Sequence, residues 1–210
     1  TDGSANFSPA DVFAALQADY PAASVPTANN SPSFTNKNAG GGASYSFSYA
    51  ENSASAAVVG TVSATDPENA TLTFSISDGN ADGWFAINGS TGAITLTSAG
   101  AASLANDFET APNLQTLTVS VSDGLNITTV QVALNEININ DGAPSFTNKN
   151  AGGGTSYSFS YAENSASAAV VGTVSATDPD GGALTFSITG GNTDGWFAIN
   201  SSTGAITLTA

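Results

Sequence analysis

Apolar residues alternate with serine and threonine along most of this chain, so the hydrophobic pattern has a period of two. Tyr45, Phe47 and Tyr49, for example, are separated by single serines. Such alternation is typical of β-strands that bury one face. Short strands separated by turn residues favour an all-β fold, and here a Greek-key β-sandwich. The pattern predicts seven strands between residues 32 and 143, at 45–49, 58–64, 72–76, 84–87, 93–97, 117–121 and 129–134.

The strand pattern occurs twice. Residues 33–97 recur as 145–209, and the copies differ only at positions 43, 68–71, 77, 78, 81 and 89. We therefore predict tandem sandwiches, repeat 1 at 32–143 and repeat 2 at 144–210. Repeat 2 stops after its fifth predicted strand and lacks the last two, so we expect the sequence to be part of a longer polypeptide. The alternative is that another chain completes the sheet by strand addition.

Residues 1–31 follow a different pattern. Ser8 and Pro9 are residues typical of a helix N-terminus, and apolar residues follow them at helical spacing. We predict a short amphipathic helix over residues 9–19 and an extended linker after it. The predicted fold is thus all-β, with two tandem sandwiches and a short N-terminal helix.

The composition excludes several classes of function. Asp and Glu total 17 against two basic residues, which gives a net charge of −15. Such a chain lacks the basic face that nucleic acid requires, and anionic membrane surfaces repel it. The absence of His and Cys excludes imidazole and thiolate metal ligands and the catalysis built on them. The sequence contains no run of about 18 apolar residues, so it predicts no membrane-spanning helix. The remaining ligand atoms are oxygens, which suit Ca²⁺.

The acidic residues near the junction of the repeats are expected to converge. Glu51 follows the first predicted strand, Asp107 and Glu109 precede the sixth, and the linker at 138–144 follows the seventh. Because successive strands alternate in direction, these groups lie at one end of repeat 1. By the same rule the turn at 178–181 lies at the end of repeat 2 that faces the linker. Without cations such carboxylates repel one another, and with cations they lock the repeats together.

Six motifs occur in a fixed order, at 49–52 (YAEN), 64–68 (ATDPE), 83–87 (GWFAI) with 91–94 (TGAI), 107–109 (DFE), 121–124 (VSDG) and 140–144 (NDGAP). Together they resemble the cadherin repeat, over the whole of 32–144 and again as far as the second copy extends. The likeness is closest to bacterial cadherin-like modules of large calcium-binding surface adhesins. The sequence departs from the family at Asn138, where the family often has an acid, and at 29–32, which lacks the linker acid.

The resemblance implies up to three Ca²⁺ ions at the joint between the repeats. The pair nearer repeat 1 would be held by Glu51, Asp107, Glu109 and Asp141 and by the carbonyl of Ile139. The ion nearer repeat 2 would be held by Asn140, Asp178 and Asp180 and by the carbonyls of Gly142 and Gly181. A weaker site at the other end of repeat 1 would use Asp66, Glu68 and Asp123. For Glu51 and Glu109, turn capping or plain solvation is the alternative to metal binding.

We therefore expect a non-enzymatic function, that of a calcium-rigidified structural or adhesive module at the cell surface. Its expected partners are further repeats of the same array, neighbouring chains or extracellular glycans. Two alternatives stay open: a filament subunit that assembles by strand complementation of repeat 2, and a carbohydrate-binding module that uses Trp84 and Trp196. A glycosidase pair of Asp107 and Glu109 is disfavoured, because carboxylates committed to a metal cannot serve as proton donors.

Overall fold

The computed structural model describes residues 28–38, 42–110, 112–149 and 156–210. The helix predicted at 9–19 lies outside these residues. The described residues form β-strands, a short helix α1 (Ser98–Ala101) and a 3₁₀ turn (Leu104–Asn106). The strands of repeat 1 are β1 (Ser33–Thr35), β2 (Tyr45–Ala50), β3 (Val58–Thr61), β4 (Ser63–Thr65), β5 (Thr73–Asp78), β6 (Phe85–Ile87), β7 (Ala93–Leu96), β8 (Leu114–Ser122) and β9 (Ile127–Ile137). Those of repeat 2 are β10 (Ser145–Thr147), β11 (Val170–Thr173), β12 (Ser175–Thr177), β13 (Phe197–Ile199) and β14 (Ala205–Leu208).

Repeat 1 is a β-sandwich, as predicted. One sheet has the strand order β2-β9-β8-β5, and the opposing sheet has the order β3-β7-β6. The first and last long strands, β2 and β9, pair in parallel, with Tyr45 opposite Val132, while β9-β8 and β8-β5 are antiparallel. Both β2 and β9 therefore terminate at the same end of the sandwich. This end faces repeat 2.

The period-two pattern places one face of each strand in the core. In β8 the inward residues Leu117, Val119 and Val121 have no exposed surface, and Val132 and Leu134 continue the row on β9. Burial of such side chains stabilises the fold by about 1.5–3 kcal/mol each. Aromatic residues of β1, β2, β5 and β6 close the core, with ring-centroid distances of 5.6 to 6.3 Å.

The strand predicted at 58–64 is wrong in one respect, because the structure divides it at Val62. Before Val62, β3 pairs with β7; after it, β4 pairs with β1. Val62 itself is fully buried, and its N–H donates to the carbonyl of Gly92 (3.0 Å). Strand β1 was not predicted, because three residues are too short to display a period.

Repeat 2 reproduces the local structure of repeat 1 in its described residues. β10 pairs with β12 and β14 pairs with β11 and β13, in the registers of their counterparts. Residues 157–162 and 185–190, the counterparts of β2 and β5, do not form strands. In repeat 1 these strands pair with β9 and β8. Tyr161 is accordingly 54% exposed, whereas its counterpart Tyr49 is 9% exposed.

Candidate metal centre

Glu51 directly follows β2, at the end of the sandwich that faces repeat 2, and its side chain is 2% exposed. Its Oε2 atom accepts a hydrogen bond from the backbone N–H of Phe108 (2.7 Å), and its Oε1 atom accepts one from the N–H of Ile139 (2.5 Å). A single carboxylate thus ties the end of β2 to the loop before β8 and to the linker after β9. These charge-assisted bonds fix the orientation of the carboxylate.

The loop before β8 carries the acidic motif at 107–109. Asn106, directly before it, is 5% exposed, and its Nδ2 atom donates to the carbonyl of Ser53 (3.2 Å). The carbonyl of Asn106 accepts a hydrogen bond from the N–H of Asn52 (3.0 Å). Because Asn52 and Ser53 follow Glu51 directly, these bonds hold the loop acids beside Glu51.

Four of the predicted ligands come together at the joint. Glu51, Glu109, Asp141 and Asp180 each offer a carboxylate oxygen, and the four atoms lie within 4.8 Å of one another. We call this group the joint cluster. Glu51 and Glu109 belong to repeat 1, Asp141 to the linker and Asp180 to repeat 2. The linker is also bound directly to repeat 2, because the N–H of Gly142 donates to Oδ2 of Asp180 (2.7 Å).

The joint cluster is electrostatically crowded. A hydrogen bond with Asp180 raises the pKa of Glu109 to about 7, and Asp107 acts in the same direction. This hydrogen bond joins an acidic side chain of repeat 1 to one of repeat 2. Asp141 accepts a hydrogen bond from the side-chain amide of Asn52 (2.6 Å). The amide dipole of Asn52 offsets part of the negative charge that a cation would neutralise here.

Asp178 and Asn140 form a second group on the side of repeat 2. Oδ1 of Asp178 accepts hydrogen bonds from the N–H groups of Asp180 (3.1 Å) and Gly182 (3.0 Å), and Gly181 takes a φ of +74° in this turn. A Cβ atom at Gly182 would lie 2.7 Å from the amide nitrogen of Asn140, so the linker packs closely on the turn. Oδ1 of Asp180 is buried without a hydrogen-bond partner in the described part of the chain. Buried carboxylate oxygens need a partner, and a hard cation suits this donor set.

The weaker site predicted from Asp66, Glu68 and Asp123 is arranged differently. Asn29 donates to Asp123 (2.9 Å), and Asn30 donates to both carboxylate oxygens of Glu68 (3.1 and 2.5 Å). Hydrogen bonds from the turn at 125–126 and from Asn29 hold the pKa of Asp123 below its usual value. Amide donors therefore contact Glu68 and Asp123, whereas Oδ2 of Asp66 is buried without a hydrogen-bond partner among the described residues. These three acids are not brought together as the joint cluster is.

Sequence reasoning missed Glu136. The predicted seventh strand ended at Leu134, but β9 continues to Ile137 and places Glu136 on the inward face, 6% exposed. An extension of the alternation by two residues would have assigned this position to the core face. Burial, together with Glu51 and Asp107, raises the pKa of Glu136 to about 7.

The tryptophans differ between the repeats. Trp84 is partly buried and packs against the core, whereas Trp196, at the equivalent position, is 65% exposed. Trp84 precedes β6 rather than lying on it, contrary to the predicted strand at 84–87. No helix among the described residues has both the length and the hydropathy required to cross a membrane.

Comparison with known sequences identifies the family. The cadherin domain matches residues 45–139 and 157–210. Cadherin-related family member 2 of mouse is 39% identical over 119 residues, which are 57% of this chain and 8% of that protein. Protocadherin-11 X-linked of pig is 34% identical over 190 residues, which are 86% of this chain and 15% of that protein. The chain thus spans a small fraction of the length of these relatives.

Solved structures agree with this assignment. A crystal structure of human protocadherin-24 EC1-2 (form II) superposes with a TM-score of 0.62 at 28% identity, covering 87% of this chain and 80% of that one. Mouse cadherin-23 EC22-24 has a TM-score of 0.66 at 24% identity and covers 87% of this chain and 55% of that one, which supports the fold alone. The chain belongs to the cadherin domain family, whose domains are extracellular adhesion modules.

Proposed function

We propose that residues 32–143 and 144–210 are consecutive modules of an extracellular structural or adhesive array, and that Ca²⁺ at their joint holds them in line. The joint cluster carries this proposal, because its four carboxylates come from repeat 1, the linker and repeat 2 and meet within 4.8 Å. With two basic residues in the whole chain, protein cations are scarce. A divalent ion is the neutralising partner that this chemistry favours.

In this proposal the residues of the joint cluster bind the ion in different ways. Glu51 is oriented by two backbone N–H groups and offers its remaining lone pairs to the ion. Asp180 brings a buried oxygen without a hydrogen-bond partner from repeat 2, and Asp141 joins it from the linker. Ca²⁺ supplies the positive charge that lets these acids approach. An ion that binds only the ordered joint stabilises it by about 2.7 kcal/mol at 100 times its dissociation constant.

We extend the proposal to the setting of the module. Near-identical consecutive repeats suit a long, repetitive array, in which each module contacts mainly its neighbours. The strongly acidic, Cys-free composition suits a bacterial surface adhesin. Further repeats of the same array or of neighbouring chains are the proposed partners.

The test compares the 210-residue chain in Ca²⁺ and in chelator, by thermal unfolding and by protease cleavage within 138–144. We expect Ca²⁺ to raise the unfolding temperature and to protect the linker. Asp141→Ala should abolish most of both effects. Asp194→Ala removes the same charge from an exposed site in repeat 2 outside the joint cluster and should leave them intact. Absence of Ca²⁺ binding at millimolar concentration would refute the proposal.

A second candidate function, assembly by strand complementation, is favoured by an apolar groove in repeat 2. The groove has a volume of about 330 Å³ and is lined by Phe159, Tyr161, Ile188 and Phe197 among others. Their counterparts in repeat 1 pack in or against the core that β8 and β9 complete. We infer that a hairpin with the alternating pattern of β8 and β9, from a neighbouring chain, fits this groove. Light scattering in Ca²⁺ should then detect oligomers that a peptide of residues 112–137 dissociates, and a strictly monomeric chain would contradict this function.

A further inference from the structure

The carboxyl group of Glu136 is buried at the end of the inward row of β9. The inward residues of β9, Val130, Val132 and Leu134, are at most 6% exposed, and Glu136 continues their row at 6%. Both of its carboxyl oxygens are buried, and neither has a hydrogen-bond partner among the described residues. A carboxylate in such a position costs several kcal/mol unless a proton or a cation compensates its charge.

The groups that face Glu136 are other acids and a phenol. Tyr49 lies opposite it in the parallel pairing of β2 with β9, and burial and the charge of Glu136 raise the pKa of Tyr49 to about 12. The carboxylates of Glu51 and Asp107 act on Glu136 and raise its pKa. Glu136 thus interacts electrostatically with two further acids at this end of the core, and neither described lysine is among the groups that act on it.

The position of Glu136 connects the core to the joint. The N–H of Glu51 donates to the carbonyl of Ile137 (3.1 Å), so the end of β9 lies beside Glu51. Asn138 lies two residues beyond Glu136, and its amide reaches Glu109 of the joint cluster (3.5 Å). Successive side chains on one face of an extended chain are two residues apart. The inward face of β9 thus leads from the apolar core through Glu136 to the joint cluster.

We propose that Glu136 is the innermost ligand of the cation at the joint, so that one ion compensates Glu51, Asp107 and Glu136 together. This inference rests on the proposed Ca²⁺ function and adds a ligand that the cadherin motifs do not contain. It also explains why an acid occupies a core position of a strand whose other inward residues are aliphatic. The cation reaches deeper into repeat 1 than the surface acids alone would bring it.

The proposal predicts opposite effects with and without Ca²⁺. In chelator at pH 8, Glu136→Gln and Glu136→Leu remove a buried, uncompensated charge and should leave the unfolding temperature equal to or above that of the wild type. In Ca²⁺ the same variants lose a charged ligand. Calorimetric titration of the 210-residue variants with Ca²⁺ should then give a dissociation constant about tenfold higher than that of the wild type. Leu continues the apolar row of β9 and serves as the second variant in case Gln disturbs packing.

The control is Asp194→Asn, which removes one carboxylate charge from an exposed site in repeat 2 outside the joint cluster and should bind Ca²⁺ as the wild type does. If Glu136→Gln and Glu136→Leu both keep the wild-type affinity while Asp141→Ala loses it, Glu136 is a protonated core residue and this inference is overturned, although the proposed function stands. If the wild type itself does not bind Ca²⁺, the proposed function fails first. Lower stability of both variants in chelator, with unchanged affinity, would also overturn the inference.

Discussion

Gly60 and Gly172 occupy the same position in two nearly identical repeats, yet their substitution by alanine should have different effects. A Cβ atom at Gly60 would lie 2.2 Å from Cδ2 and 2.5 Å from Cγ of Phe47. At Gly172 it would lie 2.2 Å from Cγ of Phe159. In both repeats the aromatic ring must move by more than 1 Å to reach the ordinary contact distance of 3.4 to 4 Å.

The surroundings of the ring decide the cost of that movement. Phe47 lies on β2, which is hydrogen-bonded to β9. Stacking does not distinguish the two rings, because Phe47 stacks on Tyr45 at 5.6 Å and Phe159 stacks on Tyr157 at 5.8 Å. Phe159 belongs to a segment without strand pairing, is 39% exposed and borders the open groove. Overpacking of a constrained core costs about 1–3 kcal/mol. Gly→Ala returns about 0.4–1 kcal/mol by reducing the entropy of the unfolded chain. Gly60→Ala should therefore lose about 1–2 kcal/mol, and Gly172→Ala close to none.

Urea unfolding with tryptophan fluorescence measures both effects, because each repeat contains one tryptophan. Trp196→Phe leaves Trp84 to report on repeat 1, and Trp84→Phe leaves Trp196 to report on repeat 2. Gly190→Ala, where a Cβ atom meets nothing within 4 Å, is the control and should be neutral or slightly stabilising. Equal losses at Gly60 and Gly172, or a gain at Gly60, would refute the argument that strand pairing immobilises the Phe47 ring.

Two further predictions concern the pH dependence of stability in chelator and the hydrogen bonds of the Tyr45 hydroxyl. Burial, together with Glu51 and Asp107, raises the pKa of Glu136 from 4.5 to about 7, so the folded chain binds more protons than the unfolded chain between these values. Stability in chelator should therefore fall by up to about 3 kcal/mol as the pH rises from 4.5 to 7 and then level off; urea titrations that show a rise instead would contradict this assignment. The hydroxyl of Tyr45 donates to the carbonyl of Ser63 (2.9 Å) and accepts from its N–H (3.1 Å), so Tyr45→Phe should cost about 1–3 kcal/mol in urea unfolding. A loss below experimental error would mean that water replaces these bonds.

The alternation of apolar residues with serine and threonine was sufficient to predict the fold class. Side-chain direction in a strand is set by position along the chain, so the inward faces of 117–121 and 129–134 could be assigned without knowledge of their partners. The near-identity of 33–97 and 145–209 predicted the tandem arrangement, because nearly identical sequences adopt the same local structure. The excess of acids over bases indicated oxygen ligands, and alternating strand direction brought Glu51, Glu109 and Asp141 to one end.

The tertiary structure decided features that depend on contacts between distant residues. The division of 58–64 at Val62 depends on which strand each half pairs with, and no local pattern encodes that choice. The prediction placed Asp180 with the ion nearer repeat 2, yet the fold of the linker brings it among acids of repeat 1. The burial of Glu136 depends on where β9 ends relative to β2. Sequence patterns determine which face a residue occupies, but only the packing of strands from both repeats determines which charges meet without a partner.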